Sequence, residues 1–232
     1  MTDRSVRMSS YTLDEIQPNV VRPLIRSPRW RSRSRLACKR AIDILASAFL
    51  MVLLSPFLVI LSVLVKVTSR GPVFYRWRVV GEGGHPFLGY KFRSMTMNAD
   101  DLKPTLAEQN EMLGPVFKLT HDPRVTPLGK WMRRYSLDEL PQLYSVLKGD
   151  MSLVGPRPPL ATEYAQFTDY QRQKLEVKPG ITCLWQVSGR NDVVDFDEWV
   201  ALDLEYIRNW SLLLDLKILL RTVREVVVGS GR

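Results

Sequence analysis

The chain has 232 residues, with 33 Lys/Arg against 24 Asp/Glu for a net charge of +9, and 45% of it is hydrophobic. That is enough for one ordinary domain plus appendages. Its two cysteines, Cys38 and Cys183, form no Cys-x-x-Cys pair, and His85 and His121 stand alone, so a structural zinc site has no support and a reducing cytoplasm fits.

Residues 1–37 mix Ser, Pro and Arg with little apolar periodicity, which predicts a disordered or headgroup-bound tail. Residues 1–40 hold ten Lys/Arg and three Asp/Glu, so they carry +7 and the remaining 192 residues only +2. A basic tail beside an apolar run reads as attraction to anionic membrane lipid. Nucleic acid is the other standard reading of a basic segment. The tail argues against it, having no aromatic platform beyond Trp30.

Ile44 to Val65 is uncharged and apolar, with Pro56 near its centre. Its length suffices to reach across a bilayer core. Arg26 to Arg40 precede it, and Lys66, Arg70, Arg76 and Arg78 follow it. Positive residues mark the cytoplasmic side, and here both flanks are marked. A helix broken at Ser55-Pro56 enters and leaves by one face, since proline removes a backbone bond. A single-pass anchor is the main alternative, because membrane helices tolerate Pro. The expected organisation is a tail over 1–37, a re-entrant membrane helix over 38–70 and a cytoplasmic domain over 71–232.

Gly71-Pro72 breaks the helix. Val73–Trp77 and Phe87–Phe92 have strand composition, and Gly81–Gly84 between them predicts a hairpin. Helices are predicted over 98–112, 127–135 and 160–177. Leu137–Lys148 reads as another, with Ser136 as N-cap, Glu139 completing a capping box and Gly149 as terminator. Ile181–Val187 is predicted to be extended. Phe196–Asn209 and the amphipathic stretch Ser211–Val228 are predicted helices, the second suited to an interface. The fold class is therefore α+β and mostly helical: a membrane-associated domain with a Pro-broken membrane helix, a small β-hairpin and amphipathic interfacial helices.

The densest chemistry lies in Arg133-Arg134-Tyr135-Ser136-Leu137-Asp138-Glu139. A helix N-terminus suits phosphate, and arginines grip phosphate bidentately. The helix dipole and the arginines are expected to keep Asp138 ionised. Such a carboxylate beside a bound phosphate serves as a nucleophile or a Mg²⁺ ligand. Mere helix capping by Asp138 and Glu139 is the alternative. Arg157 between prolines and Arg190 after Gly189 present guanidiniums from stiff loops. Lys91 and Arg93 flank Phe92. Asp195-Phe196-Asp197 has the Asp-x-Asp form of a nucleotide–metal site, but sits at a predicted helix start, where acidic residues are common.

Several strings occur in order: Lys39-Arg40-Ala41-Ile42-Asp43, the Pro-broken run, Gly71–Phe74, Tyr90–Met95, Ser136–Gln142, Leu147–Ser152, Val154–Pro158, Lys178–Thr182 and Gln186–Arg190. Together they resemble the bacterial sugar transferase family, the monotopic phosphoglycosyl transferases, over roughly residues 38–228. The resemblance implies transfer of a sugar-1-phosphate from a UDP-sugar to undecaprenyl phosphate, releasing UMP, as a first membrane step of exopolysaccharide or glycoconjugate synthesis. It implies that Asp138 attacks the β-phosphorus and becomes a phosphosugar adduct, that Glu139 completes the dyad, and that Mg²⁺ joins at Asp138. It places Lys91, Arg133 or Arg134, Arg157 and Arg190 against the substrate, and the Ser55-Pro56 break in the bacterial inner membrane with the catalytic domain on its cytoplasmic face. The wording around Val187–Arg190 and Asn209–Leu212 favours a hexose-1-phosphate. The chain reads as the catalytic core alone, with oligomeric state open, a homodimer included. One departure stands out: Trp77 and Val79 occupy places where the family usually has Gln and Arg. The rival classes are a glycosyltransferase using Asp195 and Asp197, which would release UDP, and a non-enzymatic membrane scaffold.

Overall fold

The computed structural model describes Trp30, residues 32–189 and residues 193–231. Its longest element is α1, Arg33–Thr68. It starts at Arg33 rather than Cys38, and among the described helices it alone is long and apolar enough to cross a membrane. One stripe of α1, including Leu36, Lys39, Asp43, Ser47, Leu61 and Val65, faces the rest of the chain. Leu45, Phe49, Val52, Val59, Val63 and Val67 are exposed.

The expected break at Ser55-Pro56 does not interrupt the helix, which is continuous through Pro56. The reason is local. Pro56 has no N–H to offer the Val52 carbonyl, and the Ser55 hydroxyl donates to that carbonyl instead, at 2.7 Å. One backbone bond is replaced by a side-chain bond, and the helix carries on.

Both ends of α1 are fastened to the body that follows it. Near the N-terminal end, Arg40 donates to the Val146 and Leu147 carbonyls at 2.6 and 2.8 Å, while Asp43 accepts from the Leu153 N–H at 3.0 Å. Lys39 donates to Asp215 at 2.7 Å and to the Val154 carbonyl at 3.0 Å. Asp215 also accepts from the Tyr206 hydroxyl at 2.8 Å and the Trp210 indole at 3.1 Å, so this buried charge is satisfied on several sides. At the other end, Leu61 and Val65 pack with Phe92 and Met132. Arg93 donates to the Ser69 and Arg70 carbonyls at 2.8 Å each, meeting carbonyls that a helix end leaves without partners.

The expected hairpin is present. β1 (Phe74–Val80) and β2 (Pro86–Phe92) are antiparallel, pairing Tyr75 with Lys91 and Trp77 with Gly89. A second pairing was not foreseen: β3 (Ser152–Val154) runs parallel to β4 (Gly180–Thr182). It depends on bare backbone. A Cβ on Gly180 would lie 2.1 Å from the Gly155 nitrogen, and one on Gly155 would lie 2.4 Å from the Lys178 carbonyl.

The remaining helices are shorter than predicted, apart from the last two. Residues 98–112 divide into α2 (Ala99–Leu102) and a 3₁₀ turn over Pro104–Gln109. α3 spans Pro127–Arg134 and α4 spans Gln142–Lys148, the latter ended by left-handed Gly149 as expected. Residues 160–177 divide into α5 (Ala161–Tyr164), α6 (Asp169–Arg172) and a 3₁₀ turn, because Thr168 and Gln171 form a capping box that starts a new helix. Ile181–Val187 is extended only to Thr182, and Trp185–Val187 is a 3₁₀ turn. α7 (Phe196–Asn209) and α8 (Leu212–Val228) match their predicted spans. α8 turns Asp215 and Ile218 inward and leaves Leu213, Leu216, Leu220, Val223 and Val227 exposed, which is the amphipathic pattern expected.

The main core joins Val79 and Val80 of the hairpin to Met151, Leu153, Val200 and Leu204. Trp30 corrects the picture of a wholly loose tail. It is buried, stacks on Trp210 at 4.3 Å and donates its indole N–H to the Ile207 carbonyl at 2.8 Å. The rest of the tail up to residue 29 lies outside the described residues.

Candidate active site

Asp138 and Glu139 sit on a 3₁₀ turn, Leu137–Glu139, ahead of α4. Ser136 before it has φ 54° and ψ 23°, the one positive φ of a non-glycine among the described residues. Such a conformation costs about 1–3 kcal/mol and persists only where the surroundings enforce it. The expected capping box is not formed: Ser136 makes no side-chain cap. Glu139 does not reach back, because stronger partners hold its carboxylate. Lys91 Nζ lies 2.7 Å and Arg157 Nη1 3.2 Å from its Oε1.

Each partner arrives on a different element. Lys91 comes from β2, with its ammonium 4.1 Å from the centre of the Trp77 ring. Arg157 follows β3 and is carried by the Gly155–Gly180 contact, where the Gly155 N–H meets the Thr182 carbonyl and the Gly180 N–H meets that of Pro156, both at 3.0 Å. Arg133, from the end of α3, donates from Nε to the Ser94 hydroxyl at 3.0 Å and acts on Asp138 through its charge.

Asp138 is buried and has no direct ion pair among the described residues, since Glu139 takes both cations. Burial, and then the Glu139 charge, push its carboxyl above the ordinary aspartate value; Lys91, Arg133 and Arg157 oppose the shift without cancelling it. This reverses the expectation of an aspartate held ionised by a helix dipole. A three-residue turn aligns few peptide dipoles, and desolvation outweighs the cations. Burial also lowers Lys91, with Glu139 working against that.

The other expected residues are placed as follows. Arg134 is exposed, with its guanidinium 5.7 Å from the Tyr135 ring, and is not brought to the dyad. Arg190 lies outside the described residues. Ser55 and Pro56 are in the exposed middle of α1. Asp195 caps α7 by accepting from the Asp197 N–H at 2.9 Å, and Asp197 accepts from Gln171 at 2.8 Å. Among the described residues no cluster of three or more His, Cys, Asp or Glu is placed to hold a metal. Ser94 and Trp77 were not foreseen as site residues. Ser94 stands inside the Tyr90–Met95 string, and Trp77 was visible only as a departure.

What this geometry defines is a class of site: paired carboxylates among basic side chains, suited to a polyanionic group, on a body fastened to a long exposed apolar helix. Residues 34–229 match the family model for the bacterial sugar transferases, and the chain belongs to that family. It is 46% identical over 205 residues to a galactosyl transferase, CpsE, of Streptococcus agalactiae, covering 88% of this chain and 45% of that protein. It is 46% identical over 206 residues to the undecaprenyl-phosphate galactose phosphotransferase of Salmonella typhimurium, covering 86% and 42%. It is 40% identical over 197 residues to the exopolysaccharide production protein ExoY of Rhizobium meliloti, covering 83% and 87%. The chain thus spans less than half the length of the first two relatives.

Proposed function

We propose that this chain moves a sugar-1-phosphate, favouring a hexose, from a UDP-sugar to undecaprenyl phosphate and releases UMP. The observation that carries this reading is Asp138: buried, without a direct ion pair among the described residues, and in the field of Lys91, Arg133 and Arg157. A carboxylate oxygen of Asp138 attacks the phosphorus that bears the sugar. The bond from that phosphorus to the bridging oxygen breaks, and UMP leaves with the electron pair. Undecaprenyl phosphate then attacks the same phosphorus and frees Asp138. The cations offset charge on the diphosphate, as phosphoryl transfer requires. Relatives named for undecaprenyl-phosphate galactose and glucose-1-phosphate transfer support the reading.

Mg²⁺ fits this donor set. It binds through one or two carboxylates and completes its shell with substrate phosphates and water, and among the described residues Asp138 is the carboxylate of the dyad that no cation pairs with directly. When bound, it neutralises diphosphate charge.

The membrane part of the proposal is that α1, remaining one helix, bends at Pro56 so that it enters and leaves by the cytoplasmic face of the inner membrane. Lys39, Arg40 and Asp43 at one end and Leu61 and Val65 at the other pack on one body, and this supports the reading. The basic tail adds attraction to anionic lipid. The deciding experiment is a panel of UDP-sugars with undecaprenyl phosphate, scored for UMP. UDP release would instead mean glycosyl transfer, and no nucleotide release in a folded, lipid-bound protein would mean a scaffold.

A further inference from the structure

The Trp77 departure has a structural account. In the hairpin register Trp77 faces Gly89, which has no side chain, and Lys91 lies diagonally across from Trp77, two residues along β2. The indole lies over the bare glycine: a Cβ at Gly89 would be 2.2 Å from Trp77 Nε1 and 2.8 Å from its Cδ1. From there the ring presents its face to Lys91 Nζ at 4.1 Å. The same ammonium is 2.7 Å from Glu139 Oε1, next to Asp138. Trp77 is itself buried, and its indole N–H has no hydrogen-bond partner among the described residues, so hydrogen bonding to them does not explain its placement.

We propose that Trp77 is a positioning residue: seated on Gly89, its ring holds the Lys91 ammonium against Glu139 and in reach of a phosphate at Asp138. A cation over an indole face is favoured most when both are out of water, and Lys91 is nearly so, at 14% side-chain exposure. The ring stabilises the charged amine without adding a negative charge that would repel a diphosphate. The charged groups facing Lys91 are Glu139, Asp138 and Arg157. Burial disfavours its charge, so the ring and Glu139 act together against that penalty.

The activity readout rests on the proposed function; a second readout does not. Trp77→Leu removes the π face and keeps apolar bulk, while Trp77→Phe keeps a weaker π face. Rates per folded molecule in UMP release should fall about 10- to 30-fold in kcat for Leu and only a few-fold for Phe. The alkaline limb of the pH–rate profile should move to lower pH by roughly half to one unit in Leu, since losing the ring lets burial depress Lys91 further. Lysine labelled with ¹³C at Cε, with the Lys91 signal assigned through Lys91→Arg, gives the same titration by NMR without turnover. Gly89→Ala pushes the ring off by the opposite route and should shift that titration in the same direction. An unmoved Lys91 titration in Trp77→Leu, or in Gly89→Ala should Leu not fold, would overturn the proposal. A moved titration in a protein that releases no UMP would retain the positioning role and remove the proposed reaction.

Discussion

Lys91 and Arg157 meet on a single atom, Oε1 of Glu139, at 2.7 and 3.2 Å. One comes from the hairpin and the other from the loop behind the parallel strand pair. Glu139 is therefore the joint between two parts of the site carried on different elements, and Asp138 beside it has no direct ion pair among the described residues.

Glu139→Gln should leave two cations without their shared counter-charge. Hydrogen bonds to charged groups are worth about 1.5–3 kcal/mol each, so stability should fall by about 2 kcal/mol or more. Activity should fall by at least a hundredfold, because Lys91 and Arg157 lose their common fix. Thermal melting and UMP release on the same sample check both.

Asp138→Asn should separate activity from stability. On the proposed mechanism it removes the nucleophile, and turnover should drop on the order of a thousandfold or more. Folding raises the affinity of this carboxyl for a proton, so its contribution to stability is fullest below the unfolded aspartate value and is lost as pH rises through the raised folded value. At neutral pH the ionised group is a burden, and the Asn protein should melt at the same temperature or higher. Simple capping predicts the opposite pair: about 1 kcal/mol less stable, with activity retained.

The pH dependence follows with its sign. The acid limb of the rate profile, set by loss of the Asp138 carboxylate, should lie above the ordinary aspartate range. A limb at or below that range would mean the cations overcome burial.

The α1 topology is open to chemical labelling with little engineering. Cys38 is exposed and Cys183 buried, so the native chain offers one reactive thiol before the apolar run. Arg70→Cys adds a second after it. Equal accessibility from one side of sealed vesicles is expected, and labelling from opposite sides would mean α1 crosses.

Lys39→Met should strip Asp215 of its ammonium and leave a buried carboxylate with only neutral donors, at about 3 kcal/mol or more. Tyr206→Phe removes a single 2.8 Å bond and should cost about 1–1.5 kcal/mol. Melting of both in detergent tests the order.

Much of this was legible in the sequence, for identifiable reasons. Pattern over many residues carries through: the uncharged run became α1, and the predicted helical stretches Phe196–Asn209 and Ser211–Val228 became α7 and α8. The dyad and three of its cations were named in advance, because charge density beside stiff loops is a local signal. What failed was local inference overridden by distant partners. Ser136 and Glu139 spell a capping box, yet Glu139 is claimed by residues 48 and 18 positions away. Pro56 spells a break, yet a neighbouring hydroxyl repairs the ladder. The Gly155–Gly180 contact leaves no pattern at all in one dimension, since only the absence of Cβ atoms records it.

Arg93 closes the end of α1 from a position immediately after β2, and Lys91 lies two residues back along the same strand. At about 3.3 Å per residue, the exposed apolar helix and the amine that grips Glu139 are separated by a stiff arm of less than 7 Å with no loop to absorb movement. The end of α1 and the charge arrangement around Asp138 are thus joined through one short run of extended backbone, so a substitution that displaces Arg93 should disturb Lys91 as well.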